Sequence, residues 1–188
     1  MGLFSRAPSR KLAIKSHRSK PPLLPAALHS FIARRLTDSA GAGLLAGGGA
    51  LLMMLGSYSP KDPSFDTAAA PSQHVENVFG IFGAHSADLL LQTLGLAAYL
   101  FPVALIVWGA RILMRKPLGH AGGKIPLLAF SILAAAVALA RLPASDAWPM
   151  GAYLGGSAGS LVFNALGSLA QWWMGTTAFI FVFLTALS

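Results

Sequence analysis

The sequence predicts an all-α, polytopic membrane protein with four transmembrane helices, the fourth truncated, and an amphipathic helix on the outer face. Three observations lead there. Of 188 residues, 55% are hydrophobic and only 11% are charged, against roughly 25% charged in an ordinary soluble domain. Mean hydropathy is +0.63. The apolar residues also gather in stretches long enough to cross a bilayer, with the charges collected between them. Fourteen Lys and Arg against six Asp and Glu give a formal charge of +8. There is no cysteine, so no disulfide, Cys-zinc site, iron–sulfur cluster or cysteine nucleophile can form within the chain.

Residues 1–38 read as a basic cytoplasmic tail and 39–188 as the membrane domain. The tail carries eight basic residues and a single acid, Asp38, and is interrupted by Pro21, Pro22 and Pro25. Its first part has the composition of a disordered segment. From Ala26 to Leu36 the run is apolar and basic, suited to a short helix on the membrane surface. The first span, 39–58, is twenty residues without a charge, about 30 Å as a helix. It is rich in glycine, and Gly43 and Gly47 form a GxxxG pair, the spacing that lets helix backbones approach in lipid.

Residues 59–88 form a polar interruption with four of the six acids and Pro60, Pro63 and Pro71. Val75 to Phe82 has the makings of a short interfacial helix. The second span, 89–114, is long enough to need tilt or a kink, and Pro102 is the natural kink site. A short basic loop through Gly119 and Lys124 leads to the third span, 125–142, with Arg141 at its end. Between Ser160 and Trp173, the polar residues Ser160, Asn164, Ser168 and Gln171 fall on one helical stripe. This is the amphipathic helix, lying along or dipping into the outer interface with Trp172 and Trp173 in the aromatic belt. The last apolar stretch, 175–188, gives only about 21 Å, so the chain is expected to be a piece of a longer polypeptide.

Charge sets the orientation. With the N-terminus in the cytoplasm, twelve of the fourteen bases lie inside: the eight of the tail together with Arg111, Arg115, Lys116 and Lys124. Five of the six acids then lie outside. A cleaved signal peptide is the rival reading of residues 1–70, since Arg34-Arg35 precedes an apolar stretch. That stretch is too long for a signal core, and the small-residue run at Ala68 lies ten residues beyond it.

No charged residue sits in the middle of a span, which argues against ion-coupled transport. Asp88 and Arg141 lie near the outer face, as a pair or, by preference, as two separately solvated charges. Gly119 to Ile125 is superficially similar to a phosphate loop but has Leu118 and Ile125 where Gly and Ser or Thr belong. The five histidines are scattered singly. The residues therefore assign no catalytic, cofactor-binding or metal site. The basic tail reads either as a topogenic, lipid-contacting segment, at about 1 kcal/mol per base near an anionic leaflet, or as a docking segment.

Particular stretches carry a resemblance. After the first span comes Ser57-Tyr58-Ser59-Pro60-Lys61-Asp62-Pro63-Ser64-Phe65. Asn77-Val78-Phe79-Gly80 and Gly83-Ala84-His85-Ser86-Ala87-Asp88 lead into the second span with its Tyr99-Leu100-Phe101-Pro102, and Gly155-Gly-Ser-Ala-Gly159 follows the third. Over residues 37–188 the layout resembles the N-terminal four-helix membrane domain of the FtsK/SpoIIIE family of bacterial DNA translocases. The resemblance implies an inner-membrane anchor at the division septum that assembles with other division proteins. It implies that ATP hydrolysis, self-association and DNA binding reside in a motor domain outside these residues. A small polytopic transporter or channel component is the alternative.

Two candidate sites follow. Asp62, Pro63 and Phe65 of the outer loop are either a contact surface for a division protein or a turn that packs the first two spans. A proline disfavours helix in the residue before it, and a short acid there favours a fixed turn. Gly43 and Gly47 are the candidate helix-packing residues.

Overall fold

The computed structural model describes residues 26–64, 74–116, 121–144, 148, 150, 153–166 and 177–188. Every regular element among them is helical: α1 (Ala26–Gly56), α2 (Gly80–Leu94), a 3-10 segment (Gly95–Tyr99), α3 (Leu100–Leu113), α4 (Ala121–Leu139), α5 (Gly156–Ala165) and α6 (Thr177–Leu187). Among the described residues three helical stretches are long and apolar enough to cross a membrane, namely Ser30–Gly56, Gly80–Leu113 and Gly122–Leu139. The architecture is the expected polytopic all-α one.

Helix α1 is longer than the first span. Its 31 residues extend about 46 Å, against about 30 Å of hydrocarbon. The surface helix expected over Ala26–Leu36 is thus not a separate element. No proline or glycine separates Leu36 from Ser39. The charges of Arg34, Arg35 and Asp38 end the apolar stretch but give the backbone no reason to stop.

Helices α1 and α3 form an antiparallel hairpin in near backbone contact. A Cβ added at Gly41 would stand 3.2 Å from the carbonyl oxygen of Gly109 and 2.9 Å from Ile112; one at Gly48 would stand 2.9 Å from the Pro102 carbonyl and 2.7 Å from Ile106. Gly41 and Gly48 are seven residues apart and so share a face. Gly43 and Gly47, the expected packing pair, have nothing within 4 Å of such a Cβ. Two residues along a helix is about 200° around it, which turns Gly43 away from the seam that Gly41 occupies. At one end of this hairpin Asp38 and Arg115 pair at 3.4 Å; this is the basic end. The opposite end carries Tyr58, Asn77 and Arg141 and is the loop end.

The kink in the second span is at Gly95, not at Pro102. Gly95 has φ +61°, and a Cβ there would run into the carbonyl oxygen of Leu154. Pro102 sits buried in the first turn of α3, where its missing N–H costs little. The change of direction at Gly95 is large. Asn77 Nδ2 donates to the Met54 carbonyl at 2.9 Å, and the Tyr99 hydroxyl to the adjoining Leu55 carbonyl at 3.0 Å. A straight continuation would carry the start of α2 well away from Tyr99. Instead the chain turns at Gly95 and α2 packs against the end of α1. The part that runs beside α1 is α3, Leu100–Leu113, about 21 Å long. The separate interfacial helix expected over Val75–Phe82 is not formed; Val75 and Glu76 are irregular and α2 starts at Gly80.

The second hairpin is α4 with α6. Leu128, Ile132, Ala135, Ala136 and Ala186 share one apolar cluster with Ala97 and Ala104. The Trp108 indole N–H donates to the Ala186 carbonyl at 3.1 Å. Phe179 and Ile180 lie beside Ala138 and Leu142 near the loop end, so α6 runs antiparallel to α4. Its 11 residues reach only about 16 Å, short of a full crossing. Helix α4 starts at Ala121 and ends at Leu139, a few residues earlier at both ends than the expected 125–142. Gly122 to Lys124, expected in a turn, form its first turn.

Helix α5 takes the place of the first part of the expected amphipathic helix. It begins at Gly156 and ends at Ala165, whereas Ser168, Gln171, Trp172 and Trp173 lie outside the described residues. Gly155 and Gly159 lie against the backbone of Ala136 and Ala140. Further along, Val162 and Leu166 face Phe130, Leu133, Ala134 and Val137. The helix therefore descends along α4 from the loop end, drawn in by small residues rather than oriented by its polar stripe.

Candidate functional site

The loop end of α1 is where the polar residues converge. A helix leaves its last four carbonyls without intrahelical partners, and here most are supplied from elsewhere. Ser57 N–H donates to the Met53 carbonyl at 2.9 Å, Asn77 Nδ2 to that of Met54 and the Tyr99 hydroxyl to that of Leu55. Asn77 is 4% exposed and spends its whole amide: Oδ1 accepts from Phe79 N–H at 3.0 Å. A Cβ at Gly83 would run into that same Oδ1, so a small residue there keeps the amide in place.

Asp62 holds Asn77 from behind. Its Oδ1 accepts from Glu76 N–H at 2.7 Å and its Oδ2 from Asn77 N–H at 3.0 Å. The carboxylate thus clasps two successive backbone amides, the charge-assisted arrangement that makes such bonds strong. Asp62 is 2% exposed and turned inward. Pro63 beside it is half-buried, and Phe65 lies outside the described residues. Ser57 adds a further tie, its Oγ accepting from Val78 N–H at 3.2 Å. The loop thus joins the end of α1 to the start of α2.

A second polar group lies further along, in α2. Asp88, 2% exposed, accepts from the Tyr58 hydroxyl at 3.0 Å and from Gln92 Nε2 at 3.1 Å. Burial first, and then the neighbouring Asp88, push the Tyr58 phenol above its ordinary value, which keeps the hydroxyl protonated as the donor. Asp88 is therefore neither solvated nor paired with Arg141, which is exposed. Asn77 and Tyr58 had been visible only as letters of the motifs quoted above, and Asp88 only as a charge near the outer face; their hydrogen-bonding roles depend on the turn at Gly95 that brings α2 against the end of α1, which no local pattern announces. Among the described residues no group of three His, Cys, Asp or Glu could hold a metal ion. The cluster's geometry is that of a latch: donors and acceptors are matched within it.

Residues 33–188 match the family model described as the 4TM region of DNA translocase FtsK/SpoIIIE. The chain belongs to the FtsK/SpoIIIE family. It is 37% identical over 150 residues to a DNA translocase FtsK of Azospirillum brasilense, covering 80% of this chain and 24% of that protein. A DNA translocase FtsK of Bradyrhizobium diazoefficiens is 32% identical over 142 residues, 76% of this chain and 17% of the relative. One from Pseudomonas syringae pv. syringae is 33% identical over 128 residues, 64% of this chain and 15% of the relative. The chain thus spans a quarter or less of the length of these relatives. No solved structure matches. The matched region is the membrane domain of the FtsK/SpoIIIE translocases and not the motor, so this chain is a multi-pass membrane anchor domain.

Proposed function

We propose that the chain anchors an FtsK-like DNA translocase in the bacterial inner membrane and brings it to the division septum, with its N-terminus in the cytoplasm. Family membership over residues 33–188 is the observation that carries this reading. The ATP-driven motor, DNA binding and motor-borne self-association are assigned to parts of the protein outside these residues, and contacts with other division proteins accompany the anchor. The orientation draws support from charge. The basic end brings Arg115 beside Asp38 and adjoins the two basic segments, whereas four acids cluster by sequence in residues 59–88 at the loop end.

The outer loop's part in this is chiefly internal. Asp62 is spent on the backbone of Glu76 and Asn77, which favours the packing-turn reading over a partner contact for that residue. A transporter reading gains nothing from the polar groups. Four of the five buried polar residues among those described, Ser59, Asp62, Asn77 and Asp88, belong to the loop end, and the fifth, Ser131, donates to its own helix at Leu128.

Two experiments test the proposal. A fluorescent fusion of the chain should collect at the septum of dividing cells; an even distribution round the envelope would overturn the localisation. The natural absence of cysteine makes labelling clean: Ser64→Cys should react with an impermeant thiol reagent in intact cells, and Gly119→Cys only after lysis. The opposite pattern reverses the orientation.

A further inference from the structure

Between the two hairpins, at the loop end, lies a cavity of about 610 Å³, within the range of roughly 300–1,000 Å³ typical of small-molecule sites. Its floor is Ala97 and Leu100 below the Gly95 break and Ala135 and Ala138 of α4; Phe179 and Ile180 of α6 close one side. The lining is aliphatic and aromatic with one exception. Arg141, just past the end of α4, lines the cavity and is exposed.

We infer that this cavity is a phospholipid site, with an acyl chain between α4, α6 and the 3-10 segment and the headgroup phosphate on the Arg141 guanidinium. Depth and charge together select this occupant. The cavity begins at Ala135, inside the spanning part of α4, and ends at Arg141 and Leu142, where the apolar stretch meets the polar loop. That is the order of a lipid molecule, tail below and anion above. An arginine at this level offers a planar fork of donors that matches phosphate geometry, and its aliphatic stem continues the apolar wall. Small side chains along the floor leave the room: Ala97, Ala135 and Ala138 stand where bulkier residues would close the gap. A cavity open to a bilayer does not stay empty, because unfilled space forfeits dispersion contacts along its whole lining. The inference rests on the membrane-spanning assignment alone, and holds for either orientation and for any role at the septum.

The test uses the membrane-embedded chain. A photoreactive residue substituted at Leu142, illuminated in native membranes, should give an adduct of phospholipid mass; an adduct with a second polypeptide, or with another segment of this chain, would show a protein occupant and overturn the proposal. The chain extracted in mild detergent should retain phospholipid by native mass spectrometry. Ala138→Phe should abolish retention with helical content unchanged, and the milder Ala138→Leu should reduce it. Arg141→Gln should weaken retention of phospholipid about tenfold, the value of one charge-assisted bond, with no effect on diacylglycerol, which lacks the phosphate. Equal retention by all three variants, or equal weakening for both lipids on Arg141→Gln, contradicts the assignment.

Discussion

The two hairpins solve the same problem differently. In α1/α3 the backbones meet, with Gly41, Gly48 and Gly109 on the seam, and both ends are fastened: by Tyr99 on the Leu55 carbonyl at the loop end and by Asp38–Arg115 at the basic end. In α4/α6 the helices meet through alanines and larger side chains, an indole hydrogen bond ties α6 to α3, and a cavity of about 610 Å³ lies alongside. In lipid there is no hydrophobic drive to bring two apolar helices together. Close backbone packing and satisfied polar groups must supply the affinity, and the first hairpin has both in greater measure.

Six substitutions break or sharpen that contrast. The largest effect belongs to Asp62→Ala, which leaves two backbone N–H groups without their carboxylate. A loss of about 3 kcal/mol is expected from two charge-assisted bonds, read as a lower unfolding temperature in detergent and faster proteolysis of the loop. Asp62→Asn should recover part of it, because one acceptor oxygen remains. Next, Gly48→Leu forces a side chain against the Pro102 carbonyl and should cost about 2–3 kcal/mol. Gly47→Leu, one residue away, should cost less than about 0.5 kcal/mol, since its Cβ enters open space; equal losses would place the seam on the wrong face. Third, Trp108→Phe removes the bond to Ala186 and should loosen α6 by about 1 kcal/mol, seen as a protease-sensitive C-terminal helix with α1/α3 unaffected. Last, Asp38→Asn should cost no more than about 0.5 kcal/mol, and that only at low salt, because Arg115 is 62% exposed in the pair.

The residues that were legible in advance are those whose effect is local. The charge-free run from Ser39 announces a span, and Pro63 after Asp62 announces a turn with the acid fixed in it. The family motifs also contain Asn77 and Tyr58, although composition gave them no task. What stayed hidden depends on three-dimensional partners. Hydropathy reads Leu89 to Met114 as one continuous span, since a change of direction at Gly95 leaves the apolar count unchanged. The GxxxG spacing of Gly43 and Gly47 is sound as a pattern, but which face of α1 meets α3 is decided by the hairpin's register. Arg34 and Asp38 marked the limit of the hydrocarbon-compatible stretch, which is a different boundary from the end of a helix.

The loop-end latch also fixes an order of events during synthesis. When α1 has been made, the carbonyls of Met54 and Leu55 still lack their long-range donors, which lie 23 and 44 residues further along the chain. The first helix can enter the bilayer early, but its end is sealed only after Asn77 and then Tyr99 have emerged. Until then those carbonyls have only the local Ser57 hydroxyl and Tyr58 N–H as partners. The lip of α1 is thus the last part of the first hairpin to be completed, with the Tyr99 hydroxyl on the Leu55 carbonyl as the closing step.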